Sequence, residues 1–226
     1  MSKLLSNQAQ LFYSLGADAA WDVKVTQWLN QVKDLARTGV SAPSAVRDVR
    51  QLVDQQRLIK TPFEIDLKRR SADIAAVAHN RAMQKVAAGK MENEIEAEFL
   101  HEFYRKGAQA PAYTSIVAGG ANACTLHYNA NNAVLNDGDL LLIDAGCELD
   151  GYASDITRTF PVSGKFSGPQ KDLYEIVLAS QLAAIDAAKP NNHWNMPHEA
   201  ALDVLVQGFI DVGLCQGTKA QVLENG

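Results

Sequence analysis

The hydrophobic positions of this chain follow two rhythms, one of three and four residues and one of two. Near the start, Trp21, Val25, Trp28, Leu29, Val32 and Leu35 recur at helical intervals and predict an amphipathic helix. A Gly-Val-Ser-Ala-Pro loop follows at 39–43, then a charged stretch carrying Val46, Val49, Leu52 and Val53. Sixty residues of this kind make no complete domain, so 1–60 reads as the end of one and a linker. Thr61-Pro62-Phe63-Glu64 then supplies an N-cap, a proline at the first helical position and a capping-box acid. The helix it opens carries Ile65, Ile74, Val77, Ala78 and Val86 and stops near Gly89. A second helix, over 92–106, aligns Ile95, Phe99 and Phe103 on one face and ends at Gly107. The period then shortens, predicting strands around 115–117 and 139–143 and a hairpin after them. A long helix over 169–188, broken at Pro190, and another over 197–212 close the pattern. Segregated helices with a mostly antiparallel sheet make an α+β fold, with no internal repeat and no low-complexity tract.

The hairpin carries the candidate chemistry. Leu140-Leu-Leu-Ile143 is an apolar run that ends in Asp144 and reads as a buried strand delivering its last side chain to a pocket. Asp150-Gly151 predicts a two-residue turn, because the tight hairpin turn needs positive φ. With those two residues at the tip, Gly146 faces Asp155 and Asp144 faces Thr157. Asp144 and Asp155 then lie on one face as diagonal neighbours. Two carboxylates held that close repel each other and lose hydration. A divalent cation between them relieves both costs, so metal binding is the economical explanation.

Composition narrows the class. A chain of 226 residues is one large domain, or one and a half small ones. A net charge of −5 is mild and lacks the concentrated basic face that a nucleic-acid partner needs. No segment reaches the run of about 18 apolar residues that would span a membrane, and Met1-Ser-Lys-Leu-Leu-Ser-Asn is too short and polar for a secretory signal. Three cysteines, Cys124, Cys147 and Cys215, are an odd number without paired spacing. They fit reduced thiols in the cytoplasm, each a small buried side chain.

Leu142-Ile-Asp144-Ala-Gly, followed by Gly151-Tyr-Ala-Ser-Asp155-Ile-Thr-Arg-Thr-Phe-Pro161, resembles the signature of the pita-bread (creatinase-like) metallopeptidases, and more narrowly of the Xaa-Pro aminopeptidases. Pro111-Ala-Tyr113-Thr-Ser-Ile-Val117, Asn122-Ala-Cys-Thr-Leu-His127-Tyr128 and Leu58-Ile-Lys-Thr-Pro-Phe-Glu64 match the family in order and spacing, and the likeness runs over about 20–215. The resemblance implies that 61–226 is an incomplete pita-bread catalytic domain and that 1–60 ends a creatinase-like N-terminal domain. It implies two divalent metal ions, Mn²⁺ by the hardness of the ligands, with Asp144 chelating one and Asp155 bridging both. It gives His127 a place facing the substrate, where it steadies the tetrahedral intermediate. It sets Tyr113 behind the bridging aspartate as an orienting phenol, with Thr157 in similar service on the same hairpin face. The implied substrate is a peptide with a free N-terminus and proline second, and the complete protein a homo-oligomer.

Each residue also has a plainer reading. An Asp at a strand end is more often a turn or cap residue, a lone histidine is as often buried and satisfied as functional, and Tyr113 could simply pack. His79 and His101 read as solvated or half-buried, His193 and His198 as structural, and Glu148 and Asp150 as solvated turn charges. Leu140 to Gly146 superficially resembles a methyltransferase strand and glycine turn, but that fold wants a further glycine and an opening helix where Glu148-Leu-Asp-Gly opens a hairpin. Nearer rivals within the fold are a prolidase and a methionine aminopeptidase. A non-enzymatic pita-bread binding module would be expected to lose aspartates that are both kept here. One departure stands out. The family's remaining ligands, a histidine and two glutamates, and a further substrate-contacting histidine belong to His-Gly-(Xaa)-Gly-His and Glu-Pro-Gly motifs that this sequence does not contain. The chain therefore reads as part of an aminopeptidase, expected to hold Mn²⁺ weakly and to be inactive, or nearly so, alone.

Overall fold

The computed structural model describes residues 1–225, divided into two compact units, Met1–Asp66 and Leu67–Gly226. In the first, α1 (Ser2–Leu5) and β1 (Gln10–Phe12) precede α2 (Ala19–Lys33). Asp18 caps α2 by accepting the N–H groups of Ala20 and Trp21 at 2.9 and 3.0 Å. The helical periodicity is present, but only Val25 and Val32 are buried. β1 lies parallel to β2 (Ala45–Arg47), and α3 (Arg50–Leu58) buries no side chain.

The second unit holds two three-stranded sheets. Helix α4 (Pro62–Lys85), which begins just before the division, opens on the predicted capping box: Glu64 accepts the Thr61 N–H at 2.6 Å and Thr61 accepts the Glu64 N–H at 3.3 Å. The buried stripe of α4 is Leu67, Ser71, Ile74, Ala75, Ala78, His79 and Ala82. Ile65 and Val77, expected on that face, are exposed. Four of these seven are alanine or serine, which leave a weak hydrophobic signal. In α5 (Glu92–Arg105) the expected Ile95, Phe99 and Phe103 are all fully buried. Burying each ring contributes about 1.5–3 kcal/mol.

Two antiparallel three-stranded sheets follow. One runs β3 (Ala110–Pro111), β6 (Cys147–Leu149), β7 (Tyr152–Ala153); the other runs β4 (Ile116–Gly119), β5 (Leu140–Asp144), β8 (Thr157–Pro161). The turn between β6 and β7 has φ of 49° at Asp150 and 82° at Gly151, the positive pair the sequence predicts. Gln109 clamps the tip, donating to Asp150 Oδ1 and accepting its N–H. Pairings of Leu149 with Tyr152 and Asp144 with Thr157 keep one register from the turn to the outer sheet. Along β5, Leu141 and Ile143 face the α4 and α5 core while Leu140, Leu142 and Asp144 are half-buried on the other face. The apolar run is therefore covered on one side only.

The last helices are α6 (Gly168–Ala187), α7 (Met196–Asp211) and α8 (Lys219–Asn225). α6 and α7 touch closely, since a Cβ on Gly208 would stand 2.5 Å from Ile176 Cγ2. Of the cysteines only Cys147 is buried; Cys124 is exposed and Cys215 intermediate, a correction to the uniform burial expected. Cys124 lies on the loop after β4, where no layer covers it.

Candidate metal centre

Alternation along β5 decides where Asp144 goes. With Ile143 buried among the helices, Asp144 must take the opposite face, in a row with Ile116 of β4 and Thr157 of β8. Asp155 sits two residues before Thr157 on the returning arm and reaches the same face. The two arms are drawn together at Gly146, where a Cβ would stand 1.8 Å from the Ser154 carbonyl oxygen. Ser154 completes the clamp: its N–H donates to Cys147 O and its hydroxyl accepts the Cys147 N–H, each at 3.0 Å.

Tyr113 joins the carboxylates. Its phenol oxygen lies 2.5 Å from Asp144 Oδ1 and 3.1 Å from Asp155 Oδ1. One hydroxyl proton faces two anionic acceptors, and the shorter contact makes Asp144 the main one. Burial, then the Asp144 hydrogen bond, then both negative charges push the Tyr113 pKa well above the usual phenol range. The group is therefore a fixed donor. A cavity of about 350 Å³ opens beside it, walled by the two aspartates and Tyr113, with Thr114, Ile116, His127 and Asn129. His127 stands exposed on this rim with φ of 55°, in the left-handed region.

Four of the five residues singled out from the sequence thus meet at one cavity: Asp144, Asp155, Tyr113 and His127. Thr157 lies directly opposite Asp144 in the sheet but is not among the cavity walls. Tyr113 touches both aspartates rather than Asp155 alone. Asn129, Thr114 and Ile116 were not foreseen as walls; Thr114 and Ile116 sit inside a quoted motif, while Asn129 carries no local signal. His79 is a correction. It is 3% exposed, with Nε2 3.0 Å from the carbonyl oxygen of Ala145, the residue after Asp144. Burial lowers its pKa, so the ring is neutral and holds the end of β5 as a donor from Nε2.

The donors suit a hard divalent cation, because carboxylate oxygens prefer Mg²⁺- or Mn²⁺-like ions over soft metals. Among the described residues no group of three or more His, Cys, Asp or Glu is placed to hold a metal.

In sequence and in fold the chain is similar to known proteins. Residues 66–222 match metallopeptidase family M24. The Xaa-Pro aminopeptidase of Haemophilus influenzae is 48% identical over 181 residues, 80% of this chain and 42% of that protein. That of Escherichia coli is 40% identical over 215 residues, 95% of this chain and 49% of that protein. Among solved structures, Pseudomonas aeruginosa aminopeptidase PepP superposes with a TM-score of 0.97 at 43% identity, covering 99% of this chain and 51% of its own. Zinc-substituted E. coli aminopeptidase P in complex with product gives 0.95 at 39%, with the same coverage. The chain spans about half the length of the relatives it matches. By family and by fold neighbours, this chain belongs to metallopeptidase family M24, a family of metal-dependent peptidases, and has its pita-bread fold.

Proposed function

We propose that Asp144, Asp155, Tyr113 and His127 are this chain's share of the active site of an Xaa-Pro aminopeptidase, which removes the N-terminal residue from peptides with proline second. The observation that carries this reading is the single phenol oxygen within hydrogen-bond reach of carboxylates from both hairpin arms, with His127 on the same cavity. Relatives at 40–48% identity that bear that name support it.

Asp144 and Asp155 present oxygen ligands on one face of the sheet. They would hold divalent cations, taken as two Mn²⁺ from the resemblance and the hard donor set, whose chemistry when bound would be to acidify a water and polarise the scissile carbonyl. Tyr113 keeps its proton and fixes the rotamer of Asp144 while leaning on Asp155. His127 directs an imidazole N–H at the substrate carbonyl oxygen as that atom gains charge. Thr157, across from Asp144, supports the carboxylate row from β8. Three free cysteines fit a cytoplasmic setting, and exposed Leu182 and Ile185 on α6 fit burial in a complete homo-oligomeric enzyme.

The test is release of arginine from Arg-Pro-Pro with Mn²⁺, by the chain alone and by the chain joined to the remaining half of the H. influenzae relative. The expected result is little or no turnover by the chain alone and Mn²⁺-dependent turnover by the joined protein, abolished by Asp155→Asn. A joined protein that ignores Arg-Pro-Pro and cleaves Met-Ala peptides would replace this reading with a methionine aminopeptidase.

A further inference from the structure

We infer that Glu92 is a positioning residue for His127: buried beneath the 119–133 loop, it ties that loop down on both sides of the imidazole and so sets where the ring stands on the cavity rim. The inference rests on the role of His127 proposed above.

Glu92 is the first residue of α5 and is fully buried, an expensive place for a carboxylate unless its oxygens are satisfied. They are. Oε1 accepts the Gly119 N–H at 2.8 Å and Asn122 Nδ2 at 3.0 Å, while Oε2 accepts the Tyr128 hydroxyl at 2.7 Å and the Ala133 N–H at 2.9 Å. Four donors fill the capacity of one ionised carboxylate. Two of them precede His127 in the chain and two follow it, one being its immediate neighbour. The Glu92 N–H also donates to Ala133 O at 2.9 Å, so the backbone adds a further tie.

The loop needs such a fastening. Beyond Gly119, the last residue of β4, it has no regular structure apart from a short helical turn at Gly120–Cys124, and Gly120, His127 and Asn131 all adopt left-handed φ. Asn131, also buried, pins the far side by accepting the Val117 N–H and donating to Ser115 O. Among the described residues no hydrogen bond holds the His127 imidazole itself, so its position is inherited from the backbone that Glu92 organises. Neutral glutamine could not replace the carboxylate fully, because its amide nitrogen would meet the Ala133 N–H or the Gly119 N–H donor to donor.

The experiment compares this chain with its Glu92→Gln variant by amide hydrogen exchange and by Mn²⁺-induced broadening of side-chain resonances. Exchange in 119–133 should accelerate roughly ten-fold or more while amides of α4 and β5 keep their rates. Broadening of the His127 ring protons should fall several-fold while that of the Thr157 methyl persists. Uniform acceleration across the chain would make Glu92 a general stabiliser and overturn the inference, as would unchanged His127 broadening. If Mn²⁺ broadens neither residue in the parent chain, the metal reading fails, and loop-confined exchange then decides the Glu92 question alone. Should Glu92→Gln not fold, Tyr128→Phe removes a single donor and should give the same loop-confined pattern at smaller amplitude; no change in 119–133 would count against the role.

Discussion

Gly146→Ala is the substitution whose consequence follows most directly from geometry. Gly146 does not have the positive φ that would strain an alanine, so the difficulty is space alone. The new Cβ would lie 1.8 Å from Ser154 O, 2.6 Å from Ser154 C and 3.1 Å from Asp155 N, all backbone atoms with no rotamer to yield. Ordinary contact begins at 3.4 Å, so the returning arm must retreat by about 1.6 Å. Overpacking typically costs about 1–3 kcal/mol, and a rigid backbone neighbour puts this case at the upper end. That predicts a Tm lower by roughly 6–12 °C for a unit of this size. The effect on the site should be larger, because Asp155 rides on the displaced segment and metal–ligand distances tolerate only about 0.2 Å. Mn²⁺ affinity, read by titration of the free-ion electron-spin resonance signal, should therefore fall to that of Asp155→Asn. Gly168→Ala is the control, since nothing stands within 4 Å of its Cβ. A Gly146→Ala protein that binds Mn²⁺ like the parent and melts within about 2 °C of it would refute the close-approach argument.

Phe99→Ala should cost about 3–5 kcal/mol in denaturant unfolding, because a fully buried ring is removed from the centre of the α5–sheet core. Tyr113→Phe should leave the fold intact and weaken Mn²⁺ binding about ten-fold or more, measured in the same titration, because the donor orienting Asp144 is gone. Acid should loosen the 119–133 region. Burial pushes the Glu92 carboxyl up, but its four donors outweigh that and hold it below the ordinary glutamate range. Its contribution is then fully present above the unfolded value of about 4.3 and is lost as pH falls through the lower folded value. A Tm-against-pH series should show that decline, with Glu92→Gln flatter; equal slopes would remove Glu92 as a cause. Some slope should survive in the variant, since the Arg105 hydrogen bond also holds Glu102 below its usual range.

What the sequence makes legible here is what local chemistry encodes. The Asp150-Gly151 pair sets the turn, the turn sets the register, and the register alone brings Asp144 opposite Thr157 and Asp155 to the same face. Helix ends behave likewise, because Thr61 with Glu64 and Ser167 with Gln170 cap within a few residues of chain. The misread positions share the opposite property. Ala75 and Ala82 are fully buried while Val77 is exposed, an order that no hydrophobic period records. His79 reads as solvated or half-buried on its helix until Ala145 O, distant in sequence, comes to meet it, and Glu92 gives no signal at all before the 119–133 donors surround it. Strand β1 finds its partner only across the whole of α2. The candidate site divides along the same line. Its carboxylates follow from hairpin geometry, whereas Tyr113 and His127 are found only through a family motif, since the bonds that place them span 31 residues in one case and a buried polar lattice in the other. The polar residues hardest to read are therefore those that hold the pocket in shape, and substitution at Glu92 or His79 should disturb the site before it disturbs the core.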